Sequence, residues 1–348
     1  AAPTLSWQQS LLGLSSANGD WAVQDQAYTA SNRTQVQVAG SGSASNQGSR
    51  LTPINTVQGG INAVVSGGTV KVASGSYTQA STLNVNKPLT LIGAGEATTT
   101  IDASGITTPY GMSVSADNVT LRDFTFYGPS AFYPSAYGIK VSPGGGAEAR
   151  LRNFTLMNVT SRGAGKAELD LNGVDGALID QVTLNGAPVG NDAGSSQGAG
   201  LQITDSANVT VRNTTTMNNA WGGVALYQAN RSYNQRVNNI SIEGNNQFSE
   251  VNPVYLQDES ALHDFGTLSV AGFDYAVRNA ASTGSSQYTW LQATQQKAYD
   301  FAVNLPGVSS STIQGSDGGS RTQNFEVGVG YLVGGGTQAM SIASAISQ

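Results

Sequence analysis

The chain has 348 residues, and 11% of them are charged, against about 25% in an average globular protein. The net charge of −6 and the lack of any basic run exclude a nucleic-acid partner held by a basic surface. No apolar run reaches the roughly 18 residues of a membrane span, and the absence of cysteine excludes thiol catalysis, disulfides and cysteine–zinc sites. His263 is the single histidine, so a metal site built from several histidines is excluded as well.

The sequence begins AAPTLSW, with small residues and no methionine, as a mature chain does after signal-peptide cleavage. We therefore expect an exported bacterial protein that is secreted or held at the cell surface. Residues 1–50 are interpreted as an N-terminal arm that precedes the folded core.

Residues 53–79 combine a short helical pattern with a strand. Val57, Ile61, Val64 and Val65 recur at helical spacing, and the pattern breaks at the glycines that follow. The strand TVKVA, residues 69–73, comes next. This segment predicts a helix that leads into the first strands of a β-domain.

Two strand patterns recur further along the chain. The first has the form small-apolar-x-apolar and occurs as YGMSV (110–114), YGIKV (137–141), AELDL (167–171), AGLQI (199–203), GGVAL (222–226) and NPVYL (252–256). The second occurs as NVTLRDFTF (118–126), ARLRNFTL (149–156), ALIDQVTL (177–184), NVTVRNTTT (208–216) and NNISIEG (238–244). The ends of the first pattern are 27, 30, 32, 23 and 30 residues apart, which indicates an internal repeat.

Turn residues separate these strands without intervening helices, so βαβ units are excluded. Repeated strands of this kind bury one face by stacking on their counterparts in the next turn of a solenoid. The predicted fold is therefore all-β: a right-handed parallel β-helix over residues 51–260, with an N-terminal capping helix and a C-terminal capping or assembly region at 261–348. One internal row should contain Ile139, Leu169, Leu201, Val224 and Val254.

Residues 53–105, where the helix pattern is followed by TVKVA and then by STLNVNKPLTLIGAGEATTTIDASG, resemble the first coils of the pectate-lyase-like right-handed β-helix superfamily. In that superfamily a short helix covers the open first coil. The resemblance covers about residues 53–260 and implies the fold. It does not imply one function, because the superfamily includes lyases, hydrolases, epimerases, phage spikes, adhesins and surface scaffolds.

The sequence GAGKAELDLNGVDG, residues 163–176, gathers charges in a chain that has few of them. Because Leu169 and Leu171 should face the core, alternation predicts that Glu168 and Asp170 face outward. The same outward row then contains Ser113, Lys140, Asp170, Gln202, Ala225 and Tyr255. Lys140 and Asp170 would form a solvated ion pair between adjacent turns, and on this interpretation no catalytic residue is favoured.

The resemblance implies an alternative for this cluster. Lyases of the superfamily place acids and a basic residue on one outward strand face, bind acidic sugars there, often through calcium, and remove a sugar proton with arginine or lysine. If the chain is such an enzyme, the candidate residues are Lys140, Lys166, Glu168, Asp170, Asp192 and Asp205. No cofactor or metal site is predicted from the residues themselves, although calcium binding stays possible.

The chain departs from the alginate epimerases of the superfamily, which carry a Tyr-Gly-x-Asp-Pro-His strand. The sequence YGIKVSP begins alike at Tyr137 and Gly138, but Lys140 and Val141 stand where Asp and Pro would fall. This departure leaves that particular activity in doubt.

Aromatic residues are concentrated in residues 220–235. Trp221, Tyr227 and Tyr233 are weak candidates for ligand binding, because aromatic rings stack on sugars. They can equally pin a long loop to the coil.

The C-terminal region contains two further predicted elements. Residues 293–305 read as a helix, and residues 324–333 read as a strand followed by a glycine hinge. One side of that strand presents Phe325, Val327, Val329 and Tyr331, which an added edge strand could bury on a neighbouring subunit. The alternative is that both termini fold back as caps on their own coil.

The composition favours a secreted structural or adhesive surface protein, such as a surface-layer, filament or adhesin subunit. Low charge allows self-assembly into a homo-oligomer or polymer through the terminal extensions. The alternative is a polysaccharide lyase or epimerase that acts on an acidic polysaccharide at the outward face. Neither hypothesis involves a nucleic acid or a membrane span.

Overall fold

A computed structural model describes the chain in full for residues 33–131, 136–144, 149–186, 198–220, 222–227 and 239–250. It describes the backbone alone for residues 132, 228 and 238, and for the strands at 14–17, 20–23, 254–258, 268–270, 275–279, 299–303, 310–314, 320–324 and 330–332.

Strands dominate the described residues. Up to residue 185 the elements are β1 (Leu14–Ala17), β2 (Asp20–Val23), β3 (Gln35–Val38), α1 (Val57–Ala63), β4 (Gly68–Val72), β5 (Gly75–Thr78), β6 (Leu83–Val85), β7 (Leu89–Gly93), β8 (Thr99–Asp102), β9 (Tyr110–Val114), β10 (Val119–Tyr127), a 3₁₀ turn (Ser130–Phe132), β11 (Tyr137–Val141), β12 (Leu151–Arg162), β13 (Ala167–Asn172) and β14 (Val174–Asn185). The later strands are β15 (Ala199–Thr204), β16 (Ala207–Arg212), β17 (Thr215–Met217), β18 (Gly222–Gln228), β19 (Asn238–Glu243), β20 (Gln247–Phe248), β21 (Val254–Asp258), β22 (Leu268–Val270), β23 (Tyr275–Asn279), β24 (Tyr299–Val303), β25 (Ser310–Gln314), β26 (Ser320–Asn324) and β27 (Gly330–Leu332).

The strands stack as three parallel faces of a coil. The first face runs through β3, β4, β7, β10, β12, β14, β16, β19, β22 and β24. The second face runs through β5, β8, the later halves of β10, β12 and β14, and then β17 and β20. The third face runs through β6, β9, β11, β13, β15, β18, β21 and β23. This is the predicted parallel β-helix, with the right-handed connections that parallel strands adopt.

The predicted inner row is confirmed. Ile139 pairs with Leu169, Leu169 with Leu201, Leu201 with Val224 and Val224 with Val254. The first four side chains have no exposed surface, so apolar burial between successive rungs is the main stabilising term.

The coil bends where one residue adopts a left-handed backbone conformation. Asp123, Asn158, Gln181 and Asn213, with φ between 50° and 62°, hold this position between the first and second faces. Asn158 Nδ2 donates to Asp123 Oδ1 on the preceding rung at 2.7 Å. Asparagine fits because it tolerates positive φ, while its amide forms hydrogen bonds between rungs.

A second row of left-handed residues lies at the start of the first face, at Asn118, Asn153, Asn208 and Asn239. Asn153 Nδ2 donates to Asn118 Oδ1 at 2.9 Å, and Asn239 Nδ2 donates to Asn208 Oδ1 at 2.6 Å. The frequent Asn-x-Ser/Thr sequences of this chain therefore follow from the bends and the outward threonines of the strands.

The N-terminal end of the coil is covered as predicted. Thr56 caps α1 by accepting the Gly59 N–H at 3.1 Å, and Val57 and Ile61 of α1 are buried in the core. Gly60 is required by close packing, since a Cβ there would lie 2.5 Å from a methyl group of Val38. β3, which falls within the predicted arm, pairs with β4 and is the first strand of the first face.

The C-terminal predictions need correction. The helix predicted over residues 293–305 is wrong at Tyr299–Val303, which is β24 and pairs in parallel with β22. Of the strand predicted over residues 324–333, the structure describes Asn324, the last residue of β26, and β27 (Gly330–Leu332), which pairs antiparallel with β24 of the same chain. Tyr331 lies in β27, whereas Phe325, Val327 and Val329 lie outside the described residues.

No helix in the described part of the chain combines the length and the apolar character needed to cross a membrane.

The inner row yields a stability prediction. Leu169→Asp should lower the free energy of unfolding by about 3 kcal/mol or more, because it buries an unpaired charge between Ile139 and Leu201. Denaturant unfolding followed by circular dichroism measures the change. The control is Thr155→Asp at an outward, half-buried position of β12, which should cost about 1 kcal/mol or less. Equal stability of the two variants would contradict the observed register.

Candidate functional site

An ion pair on the outward side of the third face is the centre of the candidate site. Lys140 of β11 and Asp170 of β13 are partners in register, and Lys140 Nζ donates a short hydrogen bond to Asp170 Oδ2. The Lys140 and Asp170 side chains are only 13% and 2% exposed. The predicted pairing is confirmed, but the expectation that it is solvated is wrong.

The second oxygen of Asp170 is unusual. Oδ1 is buried and has no hydrogen-bond partner among the described residues. Gln202, the register partner of Asp170 on the following rung, is also buried. A buried carboxylate oxygen without a donor costs free energy, and such atoms are found where a ligand, a water or a chemical role completes them.

Tyr137 brings a second lysine to the pair. Lys140 Nζ lies 4.7 Å from the centroid of the Tyr137 ring, and Lys166 Nζ lies 5.0 Å from it. The Tyr110 ring of the preceding rung lies 5.8 Å from the Tyr137 ring at 46°. Two ammonium groups therefore lie over the Tyr137 ring, and the Asp170 carboxylate pairs with one of them.

Glu168 does not belong to this outward cluster, so its predicted direction is wrong. It has no exposed surface; Ser161 Oγ lies 3.0 Å from Glu168 Oε2, and the Ala164 N–H donates to Oε1 at 2.7 Å. Ser161 is the register partner of the core residue Phe126, so the carboxyl group lies inside the coil. Burial raises the pKa of Glu168 to about 8, although the hydrogen bonds and the charge of Arg162 act in the opposite direction.

Strict inward–outward alternation fails at this point of β13, where two consecutive side chains point to the interior. At the equivalent position one rung earlier, a Cβ on Gly138 would meet the Glu168 carbonyl oxygen at 2.5 Å. Glu168 and Leu169 both point to the interior, while Asp170 points outward again.

Two of the remaining candidates, Asp205 and Tyr227, lie within the described residues. Asp205 follows β15 three residues beyond Gln202, about 10 Å along the strand direction, and its carbonyl accepts from Arg150 Nε at 2.7 Å. Tyr227 of β18 packs on Ala199 of β15 and Ala225 of β18. Trp221, Tyr233 and Asp192 lie outside the described residues, as does the single histidine, His263.

Tyr110 and Tyr137 were missed as site residues by the sequence reasoning. The available signal was the Tyr-Gly pair that opens both YGMSV and YGIKV. Because these repeats occupy adjacent rungs, the two tyrosines are register partners and their rings lie next to each other.

The described residues contain no group of three or more His, Cys, Asp or Glu side chains that could hold a metal ion. Calcium binding therefore stays an expectation of the resemblance alone.

Three solved structures illustrate what the chain is similar to. Pectate lyase Pel9A is 16% identical, with 82% of this chain and 78% of that chain covered and a TM-score of 0.49. A pectin methylesterase in complex with a hexasaccharide is 12% identical, covering 89% and 94% with a TM-score of 0.39. The A-module of the mannuronan C-5 epimerase AlgE4 of Azotobacter vinelandii is 13% identical, covering 62% and 70% with a TM-score of 0.36.

No protein-family model matches the sequence, and neither does any curated protein. At these identities the likeness to solved structures is one of fold, so the chemistry has to be argued from the residues of this chain.

The burial of the ion pair predicts that removing one partner lowers the free energy of unfolding more than removing both. Lys140→Met should lower the free energy of unfolding by about 3 kcal/mol, because it leaves the Asp170 carboxylate buried without a counter-charge. Adding Asp170→Leu to that variant should recover most of the loss, since it removes the stranded charge. Urea unfolding at neutral pH measures both. A loss below about 0.5 kcal/mol in the free energy of unfolding for Lys140→Met would contradict this prediction and support the solvated ion pair that alternation predicted.

Proposed function

We propose that the third face binds an acidic polysaccharide around Tyr137 and acts on it as a lyase or epimerase. The observation that carries this proposal is the convergence of the Lys140 and Lys166 ammonium groups on one tyrosine ring, beside a buried carboxylate. An ion pair that only stabilises a solvated surface would not require the Asp170 carboxylate to be buried.

The chemistry follows from the charges. A sugar carboxylate attracted to the two lysines would have its negative charge stabilised, and that charge grows when the neighbouring C–H proton leaves. The Tyr137 hydroxyl is the group of the cluster that can exchange a proton with a ligand, because Lys140 is an ammonium group paired with Asp170. Asp170 holds Lys140 in place through its hydrogen bond.

The aromatic pair supports a saccharide in particular. Tyr110 and Tyr137 are half-buried residues on adjacent rungs, so a chain that lies along the coil axis can contact both. A polymeric substrate of this kind occurs outside the cell, so we expect the protein to act there.

Self-assembly through the terminal extensions stays a second prediction. Within the described residues, β27 pairs with β24 of its own chain, and this contact agrees with a cap. Size-exclusion chromatography over a range of concentrations separates a cap from an assembly element.

The proposal is tested by incubating the protein with alginate and with polygalacturonate. A lyase produces unsaturated uronates that absorb in the ultraviolet, and an epimerase incorporates deuterium from heavy water at C5. Tyr137→Phe should reduce turnover about 100-fold, as expected when a proton-transfer group is lost. Lys166→Ala should mainly raise KM, by about tenfold, through the loss of one positive charge.

Lys71→Ala is the matched control, since Lys71 is exposed on the outward side of the first face. It should leave turnover unchanged. The proposal fails if neither polymer is bound or changed, or if Lys71→Ala and Lys166→Ala have equal effects.

A further inference from the structure

We infer that Glu168 is a positioning residue for the candidate site: held as a neutral acid inside the coil, it fixes the turn that carries Lys166 to Tyr137. The link to ligand binding rests on the proposed function, whereas the state of Glu168 can be tested without any ligand.

The hydrogen bonds of Ser161 indicate the neutral acid. Ser161 Oγ lies 3.0 Å from Glu168 Oε2 and 3.2 Å from the Glu168 carbonyl oxygen. A serine hydroxyl has one proton and can donate to only one of these two acceptors. If the carboxyl group carries a proton, it donates to Ser161 Oγ, and Ser161 donates to the carbonyl, so both bonds form.

The space for this carboxyl group is built into the coil. The positions before the inner-row residues are glycine on the neighbouring rungs, at Gly138 and Gly200. A Cβ on Gly138 would lie 2.9 Å from Ser161 Oγ, so a side chain there would displace the hydroxyl that Glu168 uses. One acid therefore occupies a site that the adjacent rungs leave free.

Glu168 reaches the functional face through the preceding turn. Its Oε1 accepts the N–H of Ala164, a residue with no exposed surface, two positions before Lys166. The Lys166 N–H donates to the Ala136 carbonyl at 2.7 Å, which places the lysine beside Tyr137. The carboxyl group thus anchors the inner side of the turn, and the backbone of Lys166 anchors the outer side.

Among the described residues, no basic side chain forms a hydrogen bond or an ion pair with Glu168. Arg162, at the end of β12, favours the ionised form through its charge, but burial outweighs it. Lys166 points to Tyr137, and Asp170, two positions along β13, pairs with Lys140 on the outward side. Ionisation of Glu168 would therefore place in the core a charge that Arg162 compensates only in part.

The sign of the pH dependence follows. Burial raises the pKa of Glu168 from 4.5 to about 8 in the folded protein. A raised pKa of this kind gives a contribution to stability that is complete below about pH 4.5, declines as the pH rises and is lost once the pH passes about 8. The turn should loosen over the upper part of this range.

The decisive variant is Glu168→Gln, because an amide reproduces the neutral acid: its N–H₂ donates to Ser161 and its oxygen accepts from Ala164. The protein's stability should decline between about pH 5 and pH 8, and this variant should remove most of that decline. Glu168→Ala should be less stable than Glu168→Gln at every pH, because it leaves Ser161 and the Ala164 N–H unpaired.

Positioning is tested by hydrogen exchange at the Ala164 amide and by calorimetry with an oligouronate. Between about pH 6 and pH 9, the protection factor of the Ala164 amide, corrected for the pH dependence of intrinsic exchange, should fall about tenfold in the natural protein. It should not fall in Glu168→Gln. Oligouronate affinity should follow the same pattern, with Lys166→Ala insensitive to the change.

If Glu168→Gln destabilises the protein at all pH values and the natural chain shows no decline, Glu168 is ionised and the inference fails. If the decline occurs but Ala164 exchange does not follow it, Glu168 is structural only and the positioning role fails. If stability and exchange behave as expected while no oligouronate binds, the positioning of the turn stands and the proposed function is what fails.

Discussion

One constraint underlies the rest of this structure: at the bend between the first and second faces a single residue takes a left-handed conformation while the residues around it remain extended. Asp123, Asn158, Gln181 and Asn213 hold that position on successive rungs. Because only one residue turns, the parallel hydrogen bonding continues across the bend, and β10, β12 and β14 each span two faces. A shift of one residue would exchange every inward and outward side chain, so these bends set the register of all rows.

A fixed register places residues from successive repeats within reach of one another. Lys140 meets Asp170, and Tyr110 meets Tyr137, because each pair occupies equivalent positions on adjacent rungs. The candidate site therefore needs no long loop to assemble it. Its charge balance depends instead on which residue type each repeat supplies at a given position.

Periodicity explains how much could be predicted. The inner row and the outward row through Lys140, Asp170 and Gln202 follow from spacing alone, and both match the observed register. The burial of Asp170 could not be predicted, since alternation gives the direction of a side chain but not what covers it. The helix predicted at 293–305 failed because the strand pairing of β24 with β22 is a long-range contact that local pattern does not encode.

Glu168 and Asp170 show how strongly local geometry controls the chemistry of identical functional groups. The two carboxyl groups are two positions apart on β13, yet one faces Ser161 inside the coil and the other faces Lys140 outside it. Strict alternation would have put both outward as repelling anions. Because Glu168 points inward, the two carboxyl groups are separated: Glu168 accepts the Ala164 N–H inside the coil, and Asp170 pairs with Lys140 on the outward side.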